Sequence, residues 1–346
     1  MVRLRAQHAD DTLMTPPADR TGPADPGTAP LPRVTGLVEP VGERPPPPPR
    51  VPLPVVEGAD LVTPAPDGAP PPAGASPSGR AGRNLRSAIT VGLGMGAVIV
   101  ASLVIWRPAF LAVLVAAVLV GVVELTRALG KGRFRPPLIP LLVGSVAMVA
   151  LAWTRGSTGL VVGFFVTALA VVLWRLADGP AGYLRDASSG VFVALYVPLL
   201  AGFAVLLLVP DDGATRVLAF MITVVASDVG GYAAGVLFGK HPMAPSISPK
   251  KSWEGLVGSV LACMLVATPL IALGLHGPWW GGALFGAATA VSATVGDLAE
   301  SLIKRDLGIK DMGHLLPGHG GLMDRLDSLL PTAVVAYLLI SALAPV

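Results

Sequence analysis

The feature that most limits how this chain can fold is a succession of long apolar segments, which begins at Ala88 and continues to the C-terminus. Each segment approaches the ~20 residues that an α-helix needs to cross ~30 Å of hydrocarbon. Lipid offers no hydrogen-bond partner to a free backbone group, so runs of this length must be helical. We predict an all-α integral membrane protein with nine spans, at residues 88–106, 108–126, 137–153, 158–176, 189–209, 216–238, 255–275, 279–298 and 329–345.

The composition agrees with this fold class. Of the 346 residues, 53% are hydrophobic and only 14% are charged, whereas a soluble domain is near a quarter charged. The formal net charge of +3 gives no reason to expect a nucleic-acid partner. The single cysteine, Cys263, lies in an apolar run and is expected to be a small buried hydrophobic residue.

The first 80 residues differ from the rest of the chain. They contain 20 of the 35 prolines and no aromatic residue. Such a segment buries too little apolar surface to offset its ordering entropy. We therefore predict a disordered, Pro-rich cytoplasmic tail at residues 1–80, which acts as a tether or binds a partner, followed by a polytopic membrane domain at residues 88–346.

The distribution of lysine and arginine predicts the orientation. Alternate loops are rich in basic residues, and the loops between them are poor. Because cytoplasmic loops carry the excess of positive charge, the N-terminus is predicted to be cytoplasmic and the C-terminus to lie outside. The basic loops contain Arg80, Arg83 and Arg86, then Arg127, Lys131, Arg133 and Arg135, then Arg175 and Arg185, then Lys240, Lys250 and Lys251, and finally Lys304, Arg305, Lys310 and Arg325.

A charged segment between the last two spans, residues 296–328, carries the candidate chemistry. It contains five aspartates, one glutamate, two lysines, two arginines and two histidines. Asp297, Glu300, Ser301 and Lys304 follow i, i+3, i+4 and i+7 spacing, which places them on one face of a helix. Mg²⁺ prefers carboxylate and other oxygen ligands together with substrate phosphates. This face therefore predicts a magnesium site.

The second half of the charged segment adds another pair of carboxylates. A run rich in proline and glycine, Pro317–Gly321, predicts a tight loop that leads to Asp324 and Asp327 at the start of the last span. Acidic residues at a helix start also complement the helix dipole, but that does not explain the neighbouring basic residues. Carboxylates for a metal and cations for phosphate together indicate phosphoryl-group transfer. His314 and His319 are open between an acid–base role and a structural or phosphate-binding one.

Residues 227–255 form a second candidate segment. Asp228 lies about midway along the sixth predicted span, where a carboxylate needs water, a cation or a partner. Nearby glycines, Gly230, Gly231 and Gly235, let backbone or substrate approach closely or let the helix bend, or they form a helix-packing face. A flexible Pro/Ser loop then leads to Lys250 and Lys251, which we predict to bind phosphate at the membrane surface.

The charged residues also form a recognisable pattern. This pattern resembles the signature of the phosphatidate cytidylyltransferases, also called CDP-diacylglycerol synthases. It comprises Ser301 to Arg305, then Lys310 and Asp311, then Leu316 to Gly321, and then Asp324 to Asp327. The segments Ile247 to Gly255 and Gly296 to Ser301 are similar to that family too. The resemblance covers residues 88–346.

The resemblance implies an integral enzyme of the cell inner (plasma) membrane that joins CTP and phosphatidic acid to give CDP-diacylglycerol and pyrophosphate, a committing step of phospholipid biosynthesis. It implies a Mg²⁺ requirement, leaves open a second cation such as K⁺, and implies a homodimer. By this resemblance, the carboxylates that bind the metal would be those of Asp297, Asp324 and Asp327. Ser301, Lys304 and Arg305 would complete the catalytic set, and the substrate-binding set would be Asp228, Lys250, Lys251, Lys310, Asp311, His319 and Arg325.

Two other functions fit parts of the sequence. A secondary transporter would use glycine-rich helices and a midplane aspartate such as Asp228, but nearly all the acidic residues lie at one predicted face. A CTP-dependent polyprenol kinase, or a cytidylyltransferase for another lipid phosphate, would need much the same site residues.

Overall fold

The computed structural model describes residue 92 and residues 94–313 and 320–345, and these residues form a helical bundle. The helices are α1 (Gly94–Ile105), α2 (Arg107–Lys131), α3 (Leu138–Leu176), α4 (Tyr183–Ala194), α5 (Leu200–Leu208), α6 (Gly213–Phe238), α7 (Trp253–Pro269), α8 (Trp279–Asp306), α9 (Met323–Leu326) and α10 (Leu329–Leu343). A π-helical turn, Leu195–Leu199, joins α4 to α5, and a second one, Leu270–Gly274, extends α7.

Seven helical segments in the described part of the chain are long and apolar enough to cross a membrane, with α4–α5 and α9–α10 each counted as one. The all-α membrane class is therefore confirmed. Helix α1 falls short of that length, and the start of the span predicted at 88–106 lies outside the described residues. The predicted disorder of residues 1–80 also lies outside them. The predicted count of nine spans stays a prediction.

Helix α3 contains a reversal of the chain. As one straight helix its 39 residues would extend ~58 Å at 1.5 Å per residue, about twice the hydrocarbon thickness. Gly156 interrupts it with φ 63° and ψ −147°, a conformation open mainly to glycine. Gly144 lies against Thr167, and Gly163 lies against Met148. The residues before and after Gly156 therefore pack against each other as two antiparallel arms, which correspond to the spans predicted at 137–153 and 158–176.

Glycines bring α6 and α7 into close contact. A Cβ atom added to Gly230 would overlap Ala262, and one added to Gly258 would overlap Ala234. Gly231 lies in the same way against Ser259, whose hydroxyl donates to the Ser227 carbonyl at 2.8 Å. The packing interpretation of Gly230 and Gly231 therefore holds.

A short β-ribbon connects α6 and α7. Strands β1 (Pro242–Ala244) and β2 (Ser248–Ser252) pair antiparallel, with Pro242 opposite Ser252 and Ala244 opposite Ser248. The prediction of a flexible loop here was wrong. Glu254 in the first turn of α7 accepts hydrogen bonds from the backbone amides of Lys240 and His241 at 3.2 and 3.3 Å, and these bonds fix the ribbon to α7.

The largest buried cluster lies between α5, α6, α8 and α10. Phe285 and Ile340 are fully buried within it, as are Leu208 and Ile271. This core holds α6, α8 and α10 in a fixed relation, and these helices carry most of the predicted site.

Candidate active site

The charged face of α8 meets the start of α9. Glu300 is completely buried, and the Lys304 ammonium one turn later forms an ion pair with it. The same ammonium lies 3.0 Å from Asp324 Oδ1. Lys304 therefore bridges two carboxylates, and the i, i+3, i+7 face predicted for α8 points at α9.

Asp324 also accepts hydrogen bonds from backbone amides on either side of residues 314–319. Those residues, and with them most of the loop predicted at Pro317–Gly321, lie outside the described part of the chain. The Asp324 carboxylate accepts from the Gly321 amide at 2.8 Å and from the Met312 amide at 3.1 Å. The two hydrogen bonds from backbone amides and the ion pair with Lys304 together fix the position of this side chain. A carboxylate with three donors is held rigidly, so its orientation is set before any ligand binds.

Asp327 lies where α8 and the last transmembrane segment approach most closely. A Cβ atom added to Gly296 would contact the Asp327 carbonyl and Pro331, so only glycine permits this distance between the backbones. The Asp327 side chain lies within electrostatic range of Asp297 and Glu300. The two predicted carboxylate pairs, one on each side of the loop, are thus brought to one place.

A cleft of about 180 Å³ opens between α6, α7, α8 and the β-ribbon, and it adjoins these carboxylates. Asp228, Lys250, Lys251 and Asp297 line it. The Lys251 ammonium lies 2.5 Å from Asp297 Oδ2. Asp228 is ten residues before the end of α6, which is ~15 Å along the helix, so the cleft reaches well into the bundle.

The charges around the cleft fit a bound cation. Five carboxylates gather here, those of Asp228, Asp297, Glu300, Asp324 and Asp327, and four cationic side chains accompany them, those of Lys250, Lys251, Lys304 and Arg325. Glu300 Oε1 is buried and has no hydrogen-bond partner among the described residues. No three acidic, histidine or cysteine side chains of the described residues surround a single point. A cation bound here would therefore need phosphate or water oxygens to complete its coordination.

The other predicted site residues lie at different distances from this cluster. Ser301 is half-buried on α8, and Lys310 is exposed. Arg305 turns away and donates to the Ile247 carbonyl of the ribbon loop at 3.3 Å. Asp311 lies beside Gly320 and Asp324, and Arg325 is within electrostatic range of Asp228. His314 and His319 lie outside the described residues.

Glu124 on α2 lies at this site but is not among the residues predicted from the sequence. This side chain is 6% exposed, and its Oε2 accepts from the Met323 amide, the residue before Asp324, at 2.8 Å. The carboxylate also packs against Gly313 and Gly321, where an added Cβ would overlap it. The sequence did contain a signal for Glu124, because a carboxylate within an apolar run needs a partner. The same reasoning identified Asp228.

The fold and the site define a class: a multi-pass helical membrane protein with a cleft among its helices that is lined by carboxylates and lysines. Within that class, the chain belongs to the cytidylyltransferase family, whose sequence profile matches residues 86–343. It is therefore a nucleotidyltransferase.

Three similar relatives are each named phosphatidate cytidylyltransferase. The Mycobacterium bovis protein is 48% identical over 78% of this chain and 92% of its own length. The Mycobacterium tuberculosis protein is 48% identical over 78% of this chain and 86% of its own length. The Mycobacterium leprae protein is 50% identical over 76% of this chain and 90% of its own length.

Proposed function

We propose that this chain is a phosphatidate cytidylyltransferase, which converts CTP and phosphatidic acid to CDP-diacylglycerol and pyrophosphate. The observation that carries the proposal is a cleft lined by Asp228, Asp297, Lys250 and Lys251. Beside it on α8, Lys304 forms ion pairs with Glu300 and Asp324. Relatives of that name, 48–50% identical over most of the chain, support the choice of substrates.

The proposal includes the topology and assembly. Nine spans result if α1 and both arms of α3 each cross the membrane, and the basic loops then lie on the cytoplasmic side of the inner membrane. The cleft would open to the cytosol, where CTP is found. A homodimer, which the family resemblance implies, belongs to the same proposal.

The residues present suit Mg²⁺. Asp297, Asp324 and Asp327 are the proposed ligands, with Glu300 adjoining them and K⁺ as a possible second cation. When bound, the ion would neutralise charge on the phosphate oxygens and on the departing pyrophosphate. The donor set supports this proposal through the excess of carboxylates and through the unpartnered Glu300 Oε1.

The chain's own residues would position two polyanions. Lys250 and Lys251 would bind the triphosphate, and Lys251 would exchange its Asp297 partner for phosphate oxygens. A phosphatidate oxygen attacks the α-phosphorus of CTP, the new P–O bond forms, and the bond from the α-phosphorus to the bridging oxygen breaks as pyrophosphate leaves. No strong general base is required, because a phosphate monoester with a second pKa near ~6 is largely dianionic at neutral pH.

The test is turnover by purified protein in detergent with CTP, Mg²⁺ and phosphatidic acid. We expect pyrophosphate release together with a labelled CDP-lipid. Asp324→Asn and Asp327→Asn should each lower turnover by roughly a hundredfold or more, the usual loss for a group that stabilises transition-state charge. Asp306→Asn, an exposed carboxylate at the end of the same α8, is the matched control and should retain activity.

The choice of substrates has its own controls. Dolichyl or undecaprenyl substrates, other lipid phosphates and the other nucleoside triphosphates are assayed beside phosphatidic acid and CTP. Turnover with one of these and none with the proposed pair would redirect the assignment. Normal turnover by Asp327→Asn would contradict the metal assignment while leaving the reaction in place.

A further inference from the structure

An open groove runs between α2 and the first arm of α3, away from the cleft already described. Its volume is about 870 Å³. Apolar side chains form both of its walls; they are Leu119, Val120 and Val123 from α2 and Leu142, Val143 and Val146 from α3. Val143 is 66% exposed, so the described protein does not cover the groove. Apolar walls of this kind favour a hydrocarbon chain over a polar ligand.

One end of the groove is cationic. Arg127 and Lys131, one helical turn apart on α2, line this end and are exposed. Neither side chain makes an ion pair or a hydrogen bond with any described residue. Glu124 lines the same end and is buried. Its Oε2 accepts from the Met323 amide, and its Oε1 has no hydrogen-bond partner among the described residues. Two cations that pair with no residue in the described part of the chain therefore lie at the end of an apolar groove.

The same end adjoins the candidate active site. Met312 and Gly313 complete the lining there, and the Met312 amide donates to Asp324. Glu124 also contacts the residue before Asp324. The cationic end of the groove and the carboxylate cluster are thus separated by a single backbone segment.

We propose that the α2–α3 groove binds phosphatidic acid, with an acyl chain along the valine and leucine walls and the phosphate on Arg127 and Lys131. This proposal rests on the proposed function and adds a lipid site to it. The charge argues for this occupant: a phosphate monoester carries nearly two negative charges, which two unpaired cations match. A zwitterionic lipid carries no net charge, so the two cations would not favour it. The groove would hold the lipid next to the site where its phosphate reacts.

Steady-state kinetics test the groove in mixed micelles with saturating CTP and a varied mole fraction of phosphatidic acid. The double variant Arg127→Gln/Lys131→Gln should raise KM for phosphatidic acid about fivefold to tenfold, as expected for two exposed ion pairs. Val143→Trp, which fills the groove, should raise the same KM. In all these variants kcat and the KM for CTP should stay within about twofold.

Matched controls separate the groove from general effects. Arg135→Gln removes a neighbouring basic side chain that does not line the groove. Val166→Trp adds the same bulk at a position 61% exposed on the second arm of α3. Both should behave as the parent protein. Equal changes in control and groove variants, or no change in either, would overturn the proposal.

A binding experiment without CTP keeps this inference distinct from the proposed function. Phosphatidic acid with a photoreactive acyl chain, in nanodiscs of phosphatidylcholine, should label peptides of α2 and α3 that line the groove, and the Arg127→Gln/Lys131→Gln variant should lose most of that labelling. Groove labelling without any turnover would contradict the reaction and support the groove. Turnover with labelling spread evenly over all helices, as bulk membrane lipid would give, would contradict the groove alone.

Discussion

At the scale of single residues, Lys304 is the cation on which the carboxylate cluster depends. It pairs with the fully buried Glu300 and with Asp324, and its own side chain is 16% exposed. Removal of one partner from a buried ion pair leaves a charge without compensation, which costs far more than the intact pair contributes. Lys304 therefore has a structural role in addition to any contact with phosphate.

We predict that Lys304→Met lowers the free energy of unfolding by about 3 kcal/mol, because Glu300 is left buried and unpaired. The measurement is thermal unfolding of purified protein in detergent. The double variant Glu300→Gln/Lys304→Met should recover part of the loss, since the buried charge is gone. Lys310→Met, at an exposed lysine, should leave the unfolding temperature unchanged, and an equal drop there would count against the explanation.

Residue spacing predicted part of this arrangement. The i, i+3, i+7 face of Asp297, Glu300 and Lys304 is present because the helix continues through the charged residues to Asp306. The pairing of Lys251 with Asp297 depends on a contact across 46 residues, which no local pattern encodes. The complete burial of Glu300 is likewise not encoded in its local sequence.

At the scale of elements, the contact between α2 and α9 fixes the carboxylate cluster in place. Glu124 accepts the Met323 amide and packs against Gly313 and Gly321. The adjacent Asp324 is thereby held against Lys304. Helix α2 contributes no residue to the predicted catalytic set, yet its position determines where one of those carboxylates lies.

We predict that Glu124→Ala lowers kcat by on the order of tenfold to a hundredfold, because a small displacement of Asp324 misplaces reacting groups. Glu124→Gln keeps an acceptor for the Met323 amide and should restore most of the activity. The KM for CTP should change little in either variant. Equal loss in both variants would indicate that the negative charge of Glu124, and not its hydrogen bond, is required.

The β-ribbon shows why some elements escape sequence analysis. Its strands have three and five residues, and Ser248 to Ser252 lacks the β-branched and aromatic residues that mark strands. Side-chain contacts from Glu254 and the helix cap at Ser252, which accepts from the Gly255 amide at 3.1 Å, hold the ribbon. Its conformation is therefore set by α7, which follows it in the chain.

At the scale of the whole molecule, the reversal at Gly156 determines the orientation of everything that follows. If both arms of α3 cross the membrane, Ser157 and the end of α8 lie on opposite sides. If α3 were one span, Ser157 would lie near the middle of that span, inside the bilayer. The sequence predicted both arms, because each apolar run is about as long as a helix that crosses the bilayer.

We predict that Ser157→Cys reacts with a membrane-impermeant maleimide added to intact cells, whereas Lys310→Cys reacts only after the membrane is opened. Cys263 is fully buried and should give no background, which the parent protein checks directly. Labelling of both introduced cysteines under the same condition would contradict the nine-span topology.

The cleft and the α2–α3 groove share no lining residue, and this separation has a consequence for the order of events. A nucleotide in one and a lipid in the other need not displace each other, so either can arrive first and both must be present before reaction. Plots of reciprocal velocity would then intersect instead of running parallel, as they would if a covalent nucleotidyl-enzyme formed. The product contains both the nucleotide and the lipid, so it would occupy the cleft and the α2–α3 groove together. It would therefore inhibit competitively against each substrate.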